Sequence, residues 1–481
     1  MKKINTIILL LFFVVSANAV MRNVPAQYSS IQSAINASSN GDTILVDQGT
    51  YYENINFYGR KIVVTSRFYI SNNLAYIQNT IINGSTPSNP DSASCVRFHN
   101  GEDSTTVLQG FTITGGTGTK WLDEHGAGVY REGGGILIAF CAPLIQNNII
   151  KYNEAINYTG GNGAGGGGIR IGDGNPKILD NIIIYNKGLY GAGIVLNYTG
   201  VTVKNNLICY NSQSSTYSSG AGIWANNVLS GKPRLIENNT IIHNSSATGT
   251  AGVLSIYSSN LILRNNIIWG NTSQGGPQIL TSNGGVVTVS YCCVQGGYTG
   301  TGNISSYPQF ADTNYILTDG SPCIDAGDTS SVFNDPANPG NPLLAKFPAK
   351  GGRRCDMGAY GGPGSTLLSG ASVIGIKNNN LNNPEGFLLY QNYPNPFNPS
   401  TIIKYSIPSI VSRESSIIKL VVFDILGKEI VTLVNQKQGA GTYEVQFPNN
   451  SITKNQLSSG IYFYRLTAGN FTIEKKMILI K

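Results

Sequence analysis

A chain of 481 residues with 41% hydrophobic and only 12% charged side chains can bury a sizeable core and does not have the composition of a disordered protein. Its formal charge of +7 is spread thinly, with no basic run beyond pairs such as Arg353-Arg354, so nucleic acid is excluded as an expected partner. The 58 glycines, with abundant Asn, Ser and Ile, point to short strands joined by tight turns.

The first residues are Lys2-Lys3, an apolar run from Ile7 to Val15, then Ser16-Ala17-Asn18-Ala19. A basic start, a short apolar stretch and an A-x-A site predict a signal peptide over 1–19, cleaved after Ala19. That run is too short to span a bilayer, and no later segment reaches about 18 apolar residues, so no transmembrane segment is expected. Residues 20–361 read as one repetitive domain, opened by an N-terminal cap at about 24–57. The cap carries a helical stretch near Ile31–Ala37 and strands at Thr43–Val46 and Ile55–Phe57, which blunt the open strand edge of the repeats.

Beyond the cap the chain repeats itself as "NNIIKYN" (147–153), "DNIIIYN" (180–186), "NNLICYN" (205–211), "NNTIIHN" (238–244) and "NNIIWGN" (265–271). With the second residue of each as origin (Asn148, Asn181, Asn206, Asn239, Asn266), the position two later is always Ile and the position five later always Asn. Three residues before each origin stands a branched aliphatic residue, from Ile145 to Leu263. Weaker copies with origins at Asn79, Phe111 and Cys292 place Ile81, Ile113 and Val294 in the Ile column. The origins lie 25 to 37 residues apart. A second motif, "GGGILI", "GGGIRI", "GAGIVL", "GAGIWA" and "AGVLSI", runs in phase and ends at Ile138, Ile171, Leu196, Ala225 and Ile256.

Short strands at a variable period of this size predict a parallel β-helix solenoid, in which equivalent side chains stack about 4.8 Å apart. The Ile columns then form a dry core. The Asn columns form turn ladders, because Asn tolerates left-handed backbone and its amide both donates and accepts.

Two places interrupt this pattern. The insertion "GGTGTKWLDEHGAGVYREGGG" (115–135) gathers Trp121, Asp123, Glu124, His125, Arg131 and Glu132 in a chain otherwise poor in such groups. Trp121 is a candidate for stacking on a sugar ring, and Asp123, Glu124, His125 and Arg131 are the candidate catalytic residues if there are any. Arg170 and Asp173, one coil later in "RIGDG", are candidates for the same neighbourhood; Asp173 also reads as an ordinary turn residue. The middle column of the second motif (Leu137, Arg170, Val195, Trp224, Leu254) alternates outward, as a binding stripe crossed by Arg170 and Trp224 or as a surface covered by loops.

The run from the cap to "FTITGG" resembles the start of secreted pectin-lyase-like right-handed β-helix proteins. "YCCVQGGYTGTGNISSYPQFAD", "SPCIDAGD" and "RRCDMGAYGG" resemble the end of a bacterial surface group in that superfamily, although Gly361 stands where the group commonly has Glu. The resemblance implies the fold. Calcium-dependent lyases of this kind need clustered carboxylates and an Arg or Lys base, and the hydrolases need several Asp, a Gly-His-Gly turn and an Arg-Ile-Lys triplet. None of these stands in the sequence, so calcium enters only under a lyase alternative and no other cofactor or metal is expected. The seven cysteines (95, 141, 209, 292, 293, 323, 355) contain no C-x-x-C pair; Cys323 and Cys355 flank one irregular loop and are the expected disulfide.

A charge-poor linker is expected over 362–388, followed by six strands over 389–481: Ile402–Ser406, Ile417–Phe423, Glu429–Val434, Tyr443–Phe447, Gly460–Thr467 and Phe471–Leu479. Their even spacing predicts a small immunoglobulin-like β-sandwich. "NYPNPFNPSTIIKYSIP", "VFDILGKEIVTLV", "GTYEVQF", "LSSGIYFYRL" and "KKMILIK" resemble, in order, the type A C-terminal sorting domain of the type IX secretion system. That resemblance implies a Gram-negative source, the type IX machinery as partner, and a secreted or outer-membrane surface location reached through the periplasm. The expected whole is an all-β secreted or surface protein that binds polysaccharide or another surface without catalysis, with a divergent polysaccharide lyase or hydrolase and a structural spacer as alternatives.

Overall fold

The computed structural model describes residues 19–480 except 157–162, 215–219, 230, 369–387, 393–394, 408–416, 439–440, 449–456 and 469–470. The expected signal peptide, apart from Ala19, and most of the expected linker lie outside the described residues. Two compact units divide the chain, Met1–Gly375 and Ile376–Lys481.

In the first unit the repeat columns become three parallel sheets wound into a β-helix. The first sheet has ten strands from Met21–Val24 to Val286–Ser290, the second nine from Gly49–Tyr51 to Cys293–Val294, and the third eight from Ile55–Asn56 to Ile279–Ser282. One coil runs through Leu144–Gln146, a two-residue corner at Asn147 and Asn148, Ile149–Lys151, the short strands Glu154–Ala155 and Ala164–Gly165, and Ile169–Gly172. Ile150, Ile183, Ile208, Ile241 and Ile268 pair rung to rung and are fully buried. The glycine before five of the eight third-sheet strands (Gly135, Gly168, Gly193, Gly222 and Gly252) is sterically required: a Cβ on Gly168 would lie 2.6 Å from the Gly193 carbonyl, and one on Gly193 2.5 Å from that of Gly222.

The helix Ile31–Asn36 caps the core, with Ile31 and Ile35 fully buried and Ser30 closing a capping box with Ser33. Two short helices, Phe68–Ser71 and Ala75–Asn79, had no counterpart among the elements expected from the sequence. The second of them shifts the first weak copy by one residue, so Ile82 rather than Ile81 pairs with Ile113. Likewise Ser255, not Ile256, takes the rung after Ala225.

The Asn doublet splits into two functions. The second Asn points inward and is buried: the Asn181 side chain donates to Asn206 Oδ1 at 3.0 Å, Asn206 to Asn239 Oδ1 at 3.0 Å, and Asn239 to Asn266 Oδ1 at 3.0 Å. A parallel ladder links Asn153, Asn186, Asn211, Asn244 and Asn271. The left-handed residue is not the ladder Asn but its predecessor: Asn147, Asp180, Asn205, Asn238 and Asn265 have φ of 52°, 55°, 54°, 52° and 56°. The corner needs one residue to turn the chain and another to satisfy buried polar groups. Tyr152, Tyr185, Tyr210 and His243 turn the next corner and stack on one another at 5.1 to 5.5 Å, so they are corner packing.

The irregular stretch after Gly297 folds back as a strap over the outer face of the second sheet. Tyr315, Tyr360 and Leu368 cover Ile149, Ile182, Leu207 and Ile242. The outward doublet residues hold it: Asn205 donates to the Ala359 and Gly361 carbonyls at 3.0 and 2.6 Å, Asn238 to the Asp356 carbonyl at 3.1 Å, and Asp180 accepts from the Thr366 hydroxyl at 3.1 Å. Within the strap Cys323 and Cys355 are separate thiols, contrary to the expected bridge. Met357, not Cys355, lies opposite Cys323, its N–H donating to the Cys323 carbonyl at 2.9 Å. Cys323 abuts Cys293 instead, and Cys355 accepts from the Asn238 amide at 3.2 Å.

Burial pushes the carboxyls of Asp180 and Asp356 up to about 7 and that of Asp335, beside Asp356, up to about 8, against the donors that face them. The folded strap therefore binds more protons than the unfolded chain between about pH 4 and pH 8, so stability falls as pH rises through that window. Melting of the β-helix should occur at a lower temperature at about pH 8 than at about pH 5, and Asp335→Asn should flatten that slope. A melting temperature that rose with pH would contradict it.

In the second unit, Leu388–Leu389, Thr401–Ile407 and Gly441–Phe447 form one antiparallel sheet, and Glu429–Lys437, Ile417–Asp424, Gly460–Ala468 and Phe471–Leu479 another. Between them lies a core containing Phe397, Tyr405, Leu420, Val422, Phe447, Tyr464 and Met477. The Tyr464 hydroxyl pins the Pro-rich lead-in, donating to the Tyr390 carbonyl and accepting from the Asn392 N–H, both at 2.8 Å. Asp424 closes the "DILGKE" turn by accepting from the N–H groups of Leu426 and Lys428, each at 2.9 Å.

Candidate functional site

The 115–135 insertion forms a hairpin, Gly118–Leu122 pairing antiparallel with Val129–Glu132. Its turn is built by Asp123, whose Oδ1 accepts from the N–H groups of His125 at 2.9 Å and Ala127 at 3.1 Å, and by Gly126 and Gly128 at positive φ. The hairpin lies over the outer face of the third sheet. Together with neighbouring loops it buries the outward column: Leu137, Arg170 and Val195 are fully buried and Leu254 is 4% exposed. At those four positions the column is a covered surface, while Trp224 is part-buried.

Arg170 is the centre of the contact. Its Nη1 and Nη2 donate to the two oxygens of Glu124 at 2.8 and 2.6 Å, and its Nε lies 2.5 Å from Glu132 Oε2. Glu124 also accepts from Trp121 Nε1 at 2.8 Å, and Glu132 from the Tyr190 hydroxyl at 2.6 Å. Burial would raise the Glu124 carboxyl, but the Arg170 hydrogen bonds and charge overcome it and hold it below its usual range. For Glu132 burial wins over Arg170 and raises it. Tyr190 is raised by burial and by Glu132.

At the hairpin tip the His125 ring stacks on Tyr198 at 3.5 Å between centroids, with Nε2 3.0 Å from Asp173 Oδ1. Burial raises the Asp173 carboxyl, opposed by His125. Asp123 Oδ2 accepts from the Asn197 amide at 3.1 Å.

The structure thus brings together Trp121, Asp123, Glu124, His125, Glu132, Arg170 and Asp173. Arg131 is not among them: strand alternation turns it away from Glu132, and it donates to the Pro90 and Gly118 carbonyls at 2.8 and 2.9 Å and lies 3.4 Å from Asp91. Trp224 packs against Tyr190 at 4.9 Å and is only partly exposed. Tyr190, Asn197 and Tyr198 were not foreseen. Tyr198 had a signal, as the residue one past the strand in every copy of the second motif. The Glu124–Arg170–Glu132 group is a clasp in which one buried guanidinium serves two carboxylates. Among the described residues no three His, Cys, Asp or Glu side chains converge to hold a metal, so the cluster does not fit calcium.

Residues 391–481 match the family described as the secretion system C-terminal sorting domain. The tail is a type IX sorting domain. Such a sorting domain marks the protein for the cell surface or exterior in Bacteroidetes, and among the described residues no helix is long and apolar enough to cross a membrane. Deleting residues 389–481, which removes the sorting domain, should leave the protein in the periplasm by fractionation and surface proteolysis; a truncated form at the surface would contradict this. No curated protein matches the sequence. Among solved structures the chain is similar to the PL6 family alginate lyase AlyGC, at 12% identity and a TM-score of 0.25, over 63% of this chain and 56% of that one.

Proposed function

We propose that the β-helix is the cargo delivered by the sorting domain and that, once outside, it binds polysaccharide without catalysis. The observation that carries this reading is the mutual consumption of the acid and base groups. Arg170 is fully buried and spends its charge on Glu124 and Glu132, leaving neither carboxylate free to meet a substrate. A signal peptide over 1–19 belongs to the same reading, as the first step of export.

The half-exposed His125–Asp173 pair favours the second reading, a divergent lyase or hydrolase, because an imidazole beside a carboxylate is a competent acid–base pair. A polysaccharide panel with and without calcium separates the two. Our reading expects retention on one or more glycans with no unsaturated uronate and no new reducing ends. Product that disappears in His125→Ala and Asp173→Ala would establish the enzyme. Absence of both product and retention would leave a structural spacer.

A further inference from the structure

The corner after the third sheet repeats one feature on six consecutive rungs. Phe140, Asp173, Tyr198, Asn227, Tyr257 and Asn283 each stand four residues after the paired positions Ile136, Ile169, Ile194, Ile223, Val253 and Ile279. All six are left-handed, with φ of 57°, 49°, 46°, 45°, 48° and 49°. Aromatic and Asx residues alternate along the row.

Asp and Asn suit that conformation; Phe and Tyr do not, and each costs about 1–2 kcal/mol there relative to a right-handed residue. In the Tyr152 column, where Tyr152 itself is 47% exposed, the rings stack on one another from rung to rung and that stacking offsets such strain. Here Phe140 is 58% and Tyr257 51% exposed, so the core does not offset it. Strain on exposed aromatics points to a surface function. Tyr198, between them, carries the His125 ring stacked on its face, which extends the platform outward at that rung. The polar side of the row is ordered as well: Asn227 donates to Asn226 at 2.8 Å, Asn226 to Asn197 at 2.9 Å, and Asn197 to Asp123 at 3.1 Å.

Alternate rungs lie about 9.6 Å apart, twice the strand spacing. An extended chain of equatorially linked pyranoses turns over at each linkage and presents the same ring face at every second sugar, over nearly that length. The six positions carry carboxylate and amide groups but no Lys or Arg, which suits sugar hydroxyls and disfavours polyuronates. We propose that this corner is a binding track for a neutral, extended β-linked glycan, with Phe140, His125 on Tyr198, and Tyr257 stacking on every second sugar. The proposal rests on the glycan-binding reading above and names its site and ligand class.

The test is calorimetry and affinity electrophoresis of the full chain against β-1,4-linked gluco-, manno- and xylo-oligosaccharides from the disaccharide upward, with polygalacturonate as the charged control. Affinity should rise with length until the oligosaccharide spans Phe140 to Tyr257, four rungs or about 19 Å, and then level off. Phe140→Ala with Tyr257→Ala should weaken binding by about tenfold or more. Its melting curve should stay unchanged, because both side chains are exposed. If the native chain binds these glycans and the double variant binds equally well, the track is wrong while glycan binding stands. Preference for polygalacturonate would overturn the ligand class. If no glycan binds the native chain, both readings fall.

Discussion

Replacing Arg170 by Met should destabilise the β-helix by about 3–5 kcal/mol, the cost of leaving buried carboxylates without their partner. Met keeps most of the length and apolar stem but removes the charge that Glu124 and Glu132 share at 2.6 and 2.5 Å. The two carboxylates should respond differently. Glu132 is already raised by burial and can take up a proton, so Glu132→Gln should cost little. Glu124 is held below its usual range by a two-pronged contact and should cost more when changed to Gln. Denaturant midpoints measure each cost, and limited proteolysis at 122–128 reports whether the hairpin has lifted. The combined Glu124→Gln, Arg170→Met, Glu132→Gln variant should recover much of the loss, since no buried charge is then left alone. An Arg170→Met variant that melts like the native protein would mean that the hairpin is held by packing alone.

The same clasp shows where the sequence could and could not be read. Asp123, Glu124, His125 and Glu132 were visible as a cluster because the rest of the chain is so poor in charge. The pairing of Glu124 and Glu132 with Arg170 was not visible, because Arg170 stands 46 residues from Glu124 and only the rung register carries it beneath the hairpin. The Ile columns were legible because each Ile repeats at a fixed offset and stacks on its equivalent. The Asn doublet was half legible: two like residues side by side adopt opposite roles, one left-handed and outward, the other inward, and composition does not distinguish them. The strap was the least legible, having no period of its own. Yet its presence was written into the second sheet. Ile182-Ile183-Ile184 and Leu207-Ile208-Cys209 are apolar on both faces, and a strand that does not alternate must be covered on both sides. The strap is that cover.

The sharpest separation of the two doublet roles comes from Asn206 and Asn205. Asn206 Oδ1 accepts from the Asn181 backbone N–H at 2.9 Å and the Asn181 amide at 3.0 Å, while its own amide serves the Ile178 and Lys204 carbonyls at 2.8 and 2.9 Å and Asn239 Oδ1 at 3.0 Å. Asn206→Leu keeps the volume and removes every one of these bonds. At least the Asn181 N–H loses its side-chain partner in a dry core, and with a carbonyl beside it the expected cost is about 3–5 kcal/mol. Asn205→Ala removes two bonds to the strap and puts Ala at a φ of 54°, and should cost about 2–3 kcal/mol, with the strap becoming sensitive to protease. Because each coil pairs in the sheets only with its neighbours, the Asn206 lesion should also weaken cooperativity despite the strap that spans several coils, with the denaturant slope falling. Asn205→Ala should leave that slope unchanged. Equal losses in midpoint and slope for the two variants would show that the inward and outward Asn do the same work, and the ladder would then be no more than a corner.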